Sequence, residues 1–241
     1  MEYGRAPGCE VHEDRGVTWF ATGLQHPLFN GVMTAQLAPR DVDRRIDELV
    51  QEFQARGLPL EWTVGTSTVP RELGAHLEAT GLRHVVRVPG MAVPLGEIPE
   101  EPPPDGLTVA TAESREEIEA AIRIALATFE IPVEFAPRLT DIEMSLPEPH
   151  GERARIYLGR LQGRPVASSM LFASAGVAGI YFVGTLAGVR GRGIARTMTA
   201  AALREGRDRG YRIGSLQATE MGVPVYRRLG FQAYSEFAIY S

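Results

Sequence analysis

The chain has 241 residues, of which 44% are apolar and 23% charged, and its formal net charge is −5. This composition predicts a globular protein of one large or two small domains, and the acidic balance gives no general electrostatic reason to bind nucleic acid or an anionic membrane. Cys9 is the only cysteine, which excludes an intrachain disulfide, and the lack of an apolar leader or membrane-spanning run predicts a cytoplasmic protein.

The first hundred residues have the pattern of an α/β domain. The predicted elements, in chain order, are a strand at 17–22, a strand at 29–37, a helix at 41–56, a strand at 59–64 and a helix at 70–80. Apolar residues recur every three or four positions in the first helix, and Gly57 follows its end. We expect this domain to cover residues 1–97.

Residues 95–106 are rich in proline and in acidic side chains. Such a stretch favours an extended conformation and cannot join a core. We therefore expect residues 98–106 to form a linker, followed by a second domain over 107–241.

The second half predicts a longer alternation, in the order β-α-α-β-β-β-α-β-α-β. Its first helix begins at a capping box formed by Ser114 and Glu117, and Gln162-Gly163 marks a hairpin turn. The predicted strands are 107–110, 155–160, 165–172, 178–185, 211–217 and 231–240, and the later helices are 131–145, 194–209 and 222–229.

The predicted strand 178–185 is followed by the hexapeptide Arg190-Gly191-Arg192-Gly193-Ile194-Ala195, which opens a helix. The first N–H groups of a helix have no intrahelical partner and carry the positive end of its dipole, so a turn that exposes them binds anions. The two glycines allow close backbone approach, and the two arginines can pair with phosphate oxygens. The hexapeptide therefore predicts a phosphate-binding turn.

The spacing of this turn excludes the common nucleotide-binding loops. A dinucleotide fingerprint would have a third glycine at position 196, which is Arg196. A P-loop and a pyridoxal Schiff base each require a lysine, and all 25 basic residues are arginine. Cys9 and His12 form an isolated pair without further ligands at useful spacing, so we expect no metal site.

The remaining pattern, Arg-x-x-Gly-x-Ala, resembles the pyrophosphate loop of the GCN5-related N-acetyltransferase (GNAT) superfamily. Further on, Tyr226, Gly230 and Phe231 are similar to the Tyr-x-x-x-Gly-Phe segment of that family. The resemblance covers residues 105–241 well and the first hundred residues faintly. It implies the GNAT acyl-CoA N-acyltransferase fold, an α/β fold with a mixed sheet, in tandem with a truncated N-terminal repeat.

The resemblance also implies acetyl-CoA as cosubstrate, with its pyrophosphate on the backbone of residues 190–195. In the family, a bulge in the preceding strand offers backbone groups to the pantetheine arm, and these groups align with Val183, Gly184 and Thr185. Close packing against a neighbouring element would explain Gly184 equally well. Tyr226 aligns with the general acid that protonates departing coenzyme A, while packing against Phe231 is its alternative role.

The general base is not identified by the sequence. Glu220 follows a predicted strand, and Glu130 and Glu134 lie in the connection that borders the acceptor pocket of the family. Each is more readily explained as a solvated surface carboxylate. A chain of water molecules can also serve as the base in the family.

The chain stops where the seventh strand of the family would begin, so that strand is absent, supplied by the first half, or made by splitting 231–240. In the first half, residues 36–41 lack the glycines of the phosphate-binding turn, and Leu77 occupies the position of Tyr226. We expect a degenerate GNAT-like half without a cofactor site, with an unrelated α/β module as the alternative.

The function implied by the resemblance is transfer of an acetyl group to a primary amine of a small molecule or peptide, by a monomer or homodimer. A non-catalytic acyl-CoA-binding regulator is the first alternative. A structural module whose glycine turn binds nothing is the second. No nucleic acid or membrane partner is expected.

Overall fold

The computed structural model describes residue 4 and residues 6–146 and 153–241. The chain divides into two compact units, one formed by Met1–Pro89 together with Ser235–Ser241 and the other by Gly90–Tyr234. These limits differ from the domains expected at 1–97 and 107–241, because the end of the chain belongs to the first unit and residues 90–106 belong to the second.

The described residues form eleven strands and six α-helices. The strands are β1 (Glu10–Asp14), β2 (Val17–Ala21), β3 (Asn30–Ala35), β4 (Glu61–Val64), β5 (His84–Pro94), β6 (Leu107–Thr111), β7 (Ala154–Leu161), β8 (Arg164–Ser174), β9 (Val177–Thr185), β10 (Ile213–Gln217) and β11 (Gln232–Tyr240). The helices are α1 (Val42–Ala55), α2 (Leu73–Ala79), α3 (Arg115–Thr128), α4 (Ala136–Ser145), α5 (Ile194–Asp208) and α6 (Val223–Arg228). Every predicted strand and helix is present, and β1 and β5 were not predicted. Among these helices, none has the length and hydropathy needed to cross a bilayer.

The first unit contains a three-strand antiparallel meander, β1-β2-β3, followed by the parallel pair β3–β4. The turn between β1 and β2 uses Arg15 and Gly16, whose φ angles of 49° and 80° suit a two-residue hairpin. Strand β4 also pairs with the end of β11. The buried core of this unit includes Ile46, Leu49, Phe53, Trp62, Leu73 and Leu77.

The second unit continues from the capping box and the hairpin that the sequence predicts. Ser114 Oγ accepts from the Glu117 N–H at 3.2 Å, and the Glu117 carboxylate accepts from the Ser114 N–H at 3.4 Å. Gln162 and Gly163 have φ angles of 50° and 79°, so both predictions are confirmed. Strands β6 to β9 pair antiparallel in sequence, and β9 pairs with β10 in parallel. The core under α5 includes Leu171, Ile180, Ile194, Met198 and Leu203.

The two units repeat one order of elements. The first runs β1-β2-β3-α1-β4-α2-β5, and the second contains β7-β8-β9-α5-β10-α6-β11. In both, the meander is antiparallel and the strand after the long helix pairs in parallel. The first unit has a 3-10 turn at Pro39–Asp41 before its long helix, and none of residues 36–41 has a positive φ. That turn therefore lacks the backbone geometry found before α5.

The strand that follows the pattern of a seventh GNAT strand comes from the first half of the sequence. Residues Gly90 to Pro94 of β5 pair antiparallel with Gln217 to Ile213 of β10. Strand β11 is continuous from Gln232 to Tyr240. The sequence left three alternatives for the seventh strand: absent, supplied by the first half, or made by splitting 231–240. In the structure the first half supplies it.

The expectation that residues 98–106 stay apart from a core is wrong. Ile98 is 7% exposed and lies in the core of the second unit with Leu95. Glu101 forms an ion pair with Arg196, and a Glu100 carboxylate oxygen lies 3.9 Å from an Arg207 guanidinium nitrogen. Because both arginines belong to α5, the acidic side chains hold this segment along that helix.

Candidate functional site

The candidate site begins where β9 leads into α5. A 3-10 turn at Ala187–Val189 follows the strand, and then the chain passes through Gly191 and Gly193 with φ angles of 76° and 78°. Gly193 is the N-cap of α5 and is left-handed, a conformation that costs a residue with a side chain roughly 1–2 kcal/mol. The predicted strand, glycine turn and helix start are therefore all present.

The backbone donors of this turn are available. None of the N–H groups of residues 191–196 donates to an acceptor in the described part of the chain, and the N–H of Thr197 is the first that does, to Gly193 O at 3.1 Å. Gly191 and Arg192 are exposed. Since α5 is 15 residues long, these amides lie at the positive end of a substantial helix dipole. The turn has the free donors that an anion requires.

The arginines of the turn differ in their contacts. The Nε of Arg190 donates to Thr185 O at 2.9 Å and so joins the turn to the end of β9. Thr185 is 7% exposed, and its Oγ1 is buried without a hydrogen-bond partner among the described residues. Arg192 is exposed. Arg190 thus has a structural contact in addition to the charge that the sequence predicts for phosphate binding.

The sheet opens beside this turn. Pairing between β9 and β10 joins Ala178 with Gly214 and Gly179 with Ser215, and it ends there among the described residues. The N–H of Leu186 donates to Val166 O, on the β8 side. Because successive residues of a strand direct their amides to opposite edges, the N–H groups of Thr185 and Val183 face the opened gap. The amide of Gly184 faces β8, with which its residue is paired through Ser168.

A bulge lies just before these residues. Ser168 pairs with Gly184 and Met170 with Tyr181, so the β9 strand has an extra residue at this point. Phe182 has a φ of 48°, and its carbonyl accepts from Ser168 Oγ at 3.1 Å. The sequence suggested a bulge at Gly184, whereas the bulged residue is Phe182. A left-handed phenylalanine has no sequence signal, which explains the difference.

Gly184 has a packing reason for being glycine. A Cβ at this position would lie 2.9 Å from Thr128 Oγ1, 3.0 Å from Ser168 Oγ and 3.3 Å from Ala125 Cα. The close approach brings β9 against α3. The alternative explanation of Gly184, close packing against a neighbouring element, therefore matches the structure.

Tyr226 lies in α6 and belongs to the same buried core as Ile194 of the turn. Its ring is 9% exposed and meets Phe231 edge to face at 5.8 Å, so the packing role that the sequence offered is real. The hydroxyl has no hydrogen-bond partner among the described residues and is not one of their fully enclosed polar atoms. Burial raises the pKa of Tyr226 to about 12, which keeps the phenol protonated.

The three carboxylates considered as bases are on the surface. Glu130, Glu134 and Glu220 are exposed, as expected for solvated side chains. Within the part of the chain that the structure describes, no group of three or more histidine, cysteine or acidic residues is arranged to hold a metal ion.

One contact at the turn was not anticipated. Arg196 Nη2 lies 3.7 Å from the position that a Cβ on Gly193 would take, and Pro104 Cγ lies 3.8 Å from it. Glu101, from the proline-rich segment, pairs with this guanidinium. A carboxylate therefore lies next to the candidate anion site, which sequence spacing could not reveal because the contact depends on the path of residues 98–106.

Comparison with known proteins identifies the family of the second half of the chain. A family model described as an acetyltransferase (GNAT) domain matches residues 112–234. The mycothiol acetyltransferase of Thermomonospora curvata is 29% identical over 194 residues, which cover 78% of this chain and 64% of that protein. The mycothiol acetyltransferase of Streptomyces bingchenggensis is 29% identical over 233 residues, covering 86% of this chain and 75% of that protein. The chain thus spans about two thirds to three quarters of the relatives' length.

Solved structures agree on the fold. A GCN5-related N-acetyltransferase from Kribbella flavida superposes with a TM-score of 0.78 at 23% identity, covering 99% of this chain and 90% of that one. A tandem GNAT protein from the clavulanic acid biosynthesis pathway superposes with a TM-score of 0.65 at 15% identity, covering 98% and 83%. These similarities confirm the fold that the sequence predicts.

Proposed function

Since the chain belongs to the GNAT acetyltransferase family, we propose that it transfers an acetyl group from acetyl-CoA to a primary amine of a small molecule or peptide by direct attack. One observation carries the proposal: the unpaired amides of residues 191–196 lie at the start of α5, beside the gap where β9 and β10 separate. A diphosphate needs the unpaired amides, and an extended thioester arm needs the gap between the strands.

The turn and the strand bind different parts of acetyl-CoA. The amides of Gly191, Gly193 and the first residues of α5 hold the pyrophosphate, and Arg192 adds a charge-assisted contact. The amides of Val183 and Thr185 hold the arm, and an N–H of this edge polarises the thioester carbonyl. Acetyl-CoA supplies the activated acyl group. The amine nitrogen attacks the carbonyl carbon, a carbon–nitrogen bond forms and the carbon–sulfur bond breaks. The proton lost by the nitrogen passes through solvent to the departing sulfur, so coenzyme A leaves as the free thiol.

Tyr226 acts at the departing sulfur. A phenol with a pKa near 12 stays protonated at neutral pH, so its hydroxyl is available as a hydrogen-bond donor. A thiol with a pKa near 8.5 is a stronger acid than this phenol, so complete proton transfer from Tyr226 is uphill. We propose that Tyr226 stabilises the developing thiolate chiefly by donating a hydrogen bond.

The direct test measures coenzyme binding and chemistry separately. Acetyl-CoA at 100 times its Kd should stabilise the protein by about 2.7 kcal/mol through mass action. Mixing protein, acetyl-CoA and a panel of primary amines should release free thiol. Stabilisation without thiol release would favour the acyl-CoA-binding regulator. The absence of stabilisation would favour the structural module.

The names of the curated relatives suggest a second candidate for the acceptor. Both are mycothiol acetyltransferases at 29% identity, and the chain spans only part of each. The corresponding proposal is that the acceptor is the amine left when mycothiol loses its acetyl group. Including that amine in the panel tests the proposal, and thiol release at the background rate would reject it.

Replacing Glu101 by glutamine is expected to tighten acetyl-CoA binding roughly two- to fivefold at low ionic strength. The change removes the carboxylate that competes with phosphate oxygens for the Arg196 guanidinium beside the turn. Calorimetric titration of the two proteins with acetyl-CoA measures the difference, which should shrink at high salt.

The matched control is Glu100→Gln, which makes the same change in net charge. Glu100 lies 3.9 Å from Arg207, a residue further along α5 from the turn. Its replacement is expected to change acetyl-CoA affinity less than Glu101→Gln does. Equal effects in the two variants, or weaker binding by Glu101→Gln, would contradict a local competition for Arg196.

The first unit has the element order of the second without its binding turn. We propose that it is a degenerate repeat that does not hold a coenzyme, because residues 36–41 have no left-handed glycine and Leu77 stands where Tyr226 does in the second unit. A coenzyme titration that reports one site per chain supports this view, and two sites would reject it.

A further inference from the structure

Two aromatic rings that contact each other are exposed at one end of α3, and a third ring is exposed on the neighbouring residue of β9. Phe129, Tyr181 and Phe182 are 37%, 38% and 39% exposed. Phe129, at the C-cap of α3, meets Phe182 edge to face, with ring centroids 6.4 Å apart and an interplanar angle of 81°. Grouped apolar side chains on a protein surface commonly mark a place where a ligand or partner binds.

These rings lie beside the gap in the sheet. Phe182 immediately precedes Val183, whose amide faces the gap. The Tyr181 ring folds back over Gly179, where a Cβ would come within 2.6 Å of it. Gly179 pairs with Ser215 at the point where the described pairing of β9 and β10 ends. Tyr181 and Phe182 therefore lie on the part of β9 that borders the path proposed for the thioester arm.

Phe182 is held in a conformation that its side chain disfavours. A bulky residue at a φ of 48° is strained, and glycine would adopt the same bulge without that cost. The bulge geometry alone thus does not require an aromatic ring. The hydrogen bond from Ser168 Oγ to Phe182 O and the contact with Phe129 hold the ring where it is. Such strained, exposed residues tend to lie at functional sites.

We propose that Phe129, Phe182 and Tyr181 form an apolar wall of the acceptor pocket, and that the acceptor is a small primary amine with an aromatic or branched apolar group one or two carbons from its nitrogen. The proposal rests on the proposed acetyl transfer. A nitrogen that reaches the thioester at Val183 leaves its nearest substituent beside the Phe182 ring. Burying a phenyl group there is expected to raise kcat/KM roughly 10- to 100-fold.

The experiment compares amines that differ in that substituent, at saturating acetyl-CoA, by the rate of thiol release. The amines are 2-phenylethylamine, 3-methylbutylamine, ethanolamine, glucosamine and desacetylated mycothiol. We expect kcat/KM for 2-phenylethylamine to exceed that for ethanolamine at least about tenfold, with 3-methylbutylamine between them. Equal values, or preference for any of the polar amines, would overturn the inference.

Variants test whether the rings cause the preference. Phe129→Ala is expected to lower kcat/KM for 2-phenylethylamine about tenfold and to lower that for ethanolamine much less, with the acetyl-CoA Kd unchanged. Phe129→Leu, which keeps an apolar side chain, should retain most of the preference. Tyr234→Ala removes a ring that is 70% exposed in β11 and should leave the preference intact. A preference that survives in Phe129→Ala would overturn the proposed wall.

The same measurements separate this inference from the proposed function. Failure of acetyl-CoA to bind, or binding without thiol release from any amine, would reject the acetyl transfer and the inference with it. Thiol release without preference for the apolar amines would reject the inference alone.

Discussion

Replacing Gly193 by valine is expected to remove most of the stabilisation by acetyl-CoA while the protein stays folded. Gly193 has a φ of 78° as the N-cap of α5, and a β-branched residue there is strained by roughly 1–2 kcal/mol or changes the turn. Relief of this strain changes the backbone at Gly193 and so redirects the amides of residues 191–196. A 100-fold weaker Kd would reduce the stabilisation seen at 100 times the wild-type Kd from about 2.7 to roughly 0.4 kcal/mol. Thermal unfolding with and without acetyl-CoA measures it.

The matched control for backbone strain is Gly163→Val. Gly163 has nearly the same φ, 79°, in the hairpin turn between β7 and β8, and nothing lies within 4 Å of a Cβ placed there. Without acetyl-CoA, Gly163→Val should lose about as much stability as Gly193→Val. With acetyl-CoA, it should be stabilised as much as the wild type. If Gly193→Val retained the coenzyme-dependent stabilisation, the pyrophosphate would not bind at this turn.

The features that the sequence predicts well are the ones set by neighbouring residues. The capping box at Ser114 and Glu117 needs residues three positions apart, and the turn at Gln162-Gly163 needs two adjacent residues with positive φ. The backbone geometry of the glycine turn before α5 is equally local, because Gly193 determines its own backbone conformation and α5 begins directly after it. For the same reason, the helix periodicity gave the positions of the long helices.

The features that the sequence missed depend on distant contacts. Strand β1 is polar and partly exposed, and it is held by β2 and by the stacking of His12 on Trp19, with ring centroids 4.1 Å apart. Strand β5 contains two prolines and a glycine, which argue against a strand, yet it pairs with β10 over Gly90 to Pro94. Tertiary pairing outweighs local preference in both strands.

The candidate site divides in the same way. The geometry of its glycine turn is local and was predicted. The bulge at Phe182 and the approach of Glu101 to Arg196 instead depend on β8 and on the path of residues 98–106. The sequence around Phe182 does not predict its strained backbone, since an aromatic residue in a strand ordinarily indicates regular pairing. The positions of Phe182 and Glu101 are set by tertiary contacts, and a single sequence does not reveal such contacts.

Replacing Tyr226 by phenylalanine is expected to lower turnover roughly 10- to 100-fold with little change in the acetyl-CoA Kd. The ring keeps its packing against Phe231, and the change removes only the hydroxyl that we propose donates to the departing sulfur. Steady-state rates of thiol release and calorimetric titration measure the two quantities. Tyr157→Phe is the control, because the Tyr157 hydroxyl is buried without a partner among the described residues and should be dispensable for turnover. Unchanged turnover in Tyr226→Phe would remove this residue from the chemistry.

The raised pKa of Tyr226 predicts how two quantities depend on pH: the free energy of unfolding and the turnover rate. A purely structural role of Tyr226 would affect only the first. With the folded-state pKa near 12 and the unfolded value near 10, the hydroxyl favours folding below pH 10, and this contribution falls by up to about 1.4 kcal/mol per pH unit between those values. Tyr226→Phe lacks that loss, so the unfolding free energy of the wild type should decline relative to the variant above pH 10. Below that pH, the ratio of their turnover rates should stay constant, because the donor remains protonated throughout. A ratio that changed between about pH 7 and 9 would mean that Tyr226 titrates during turnover and acts as an acid or base, not as a fixed hydrogen-bond donor.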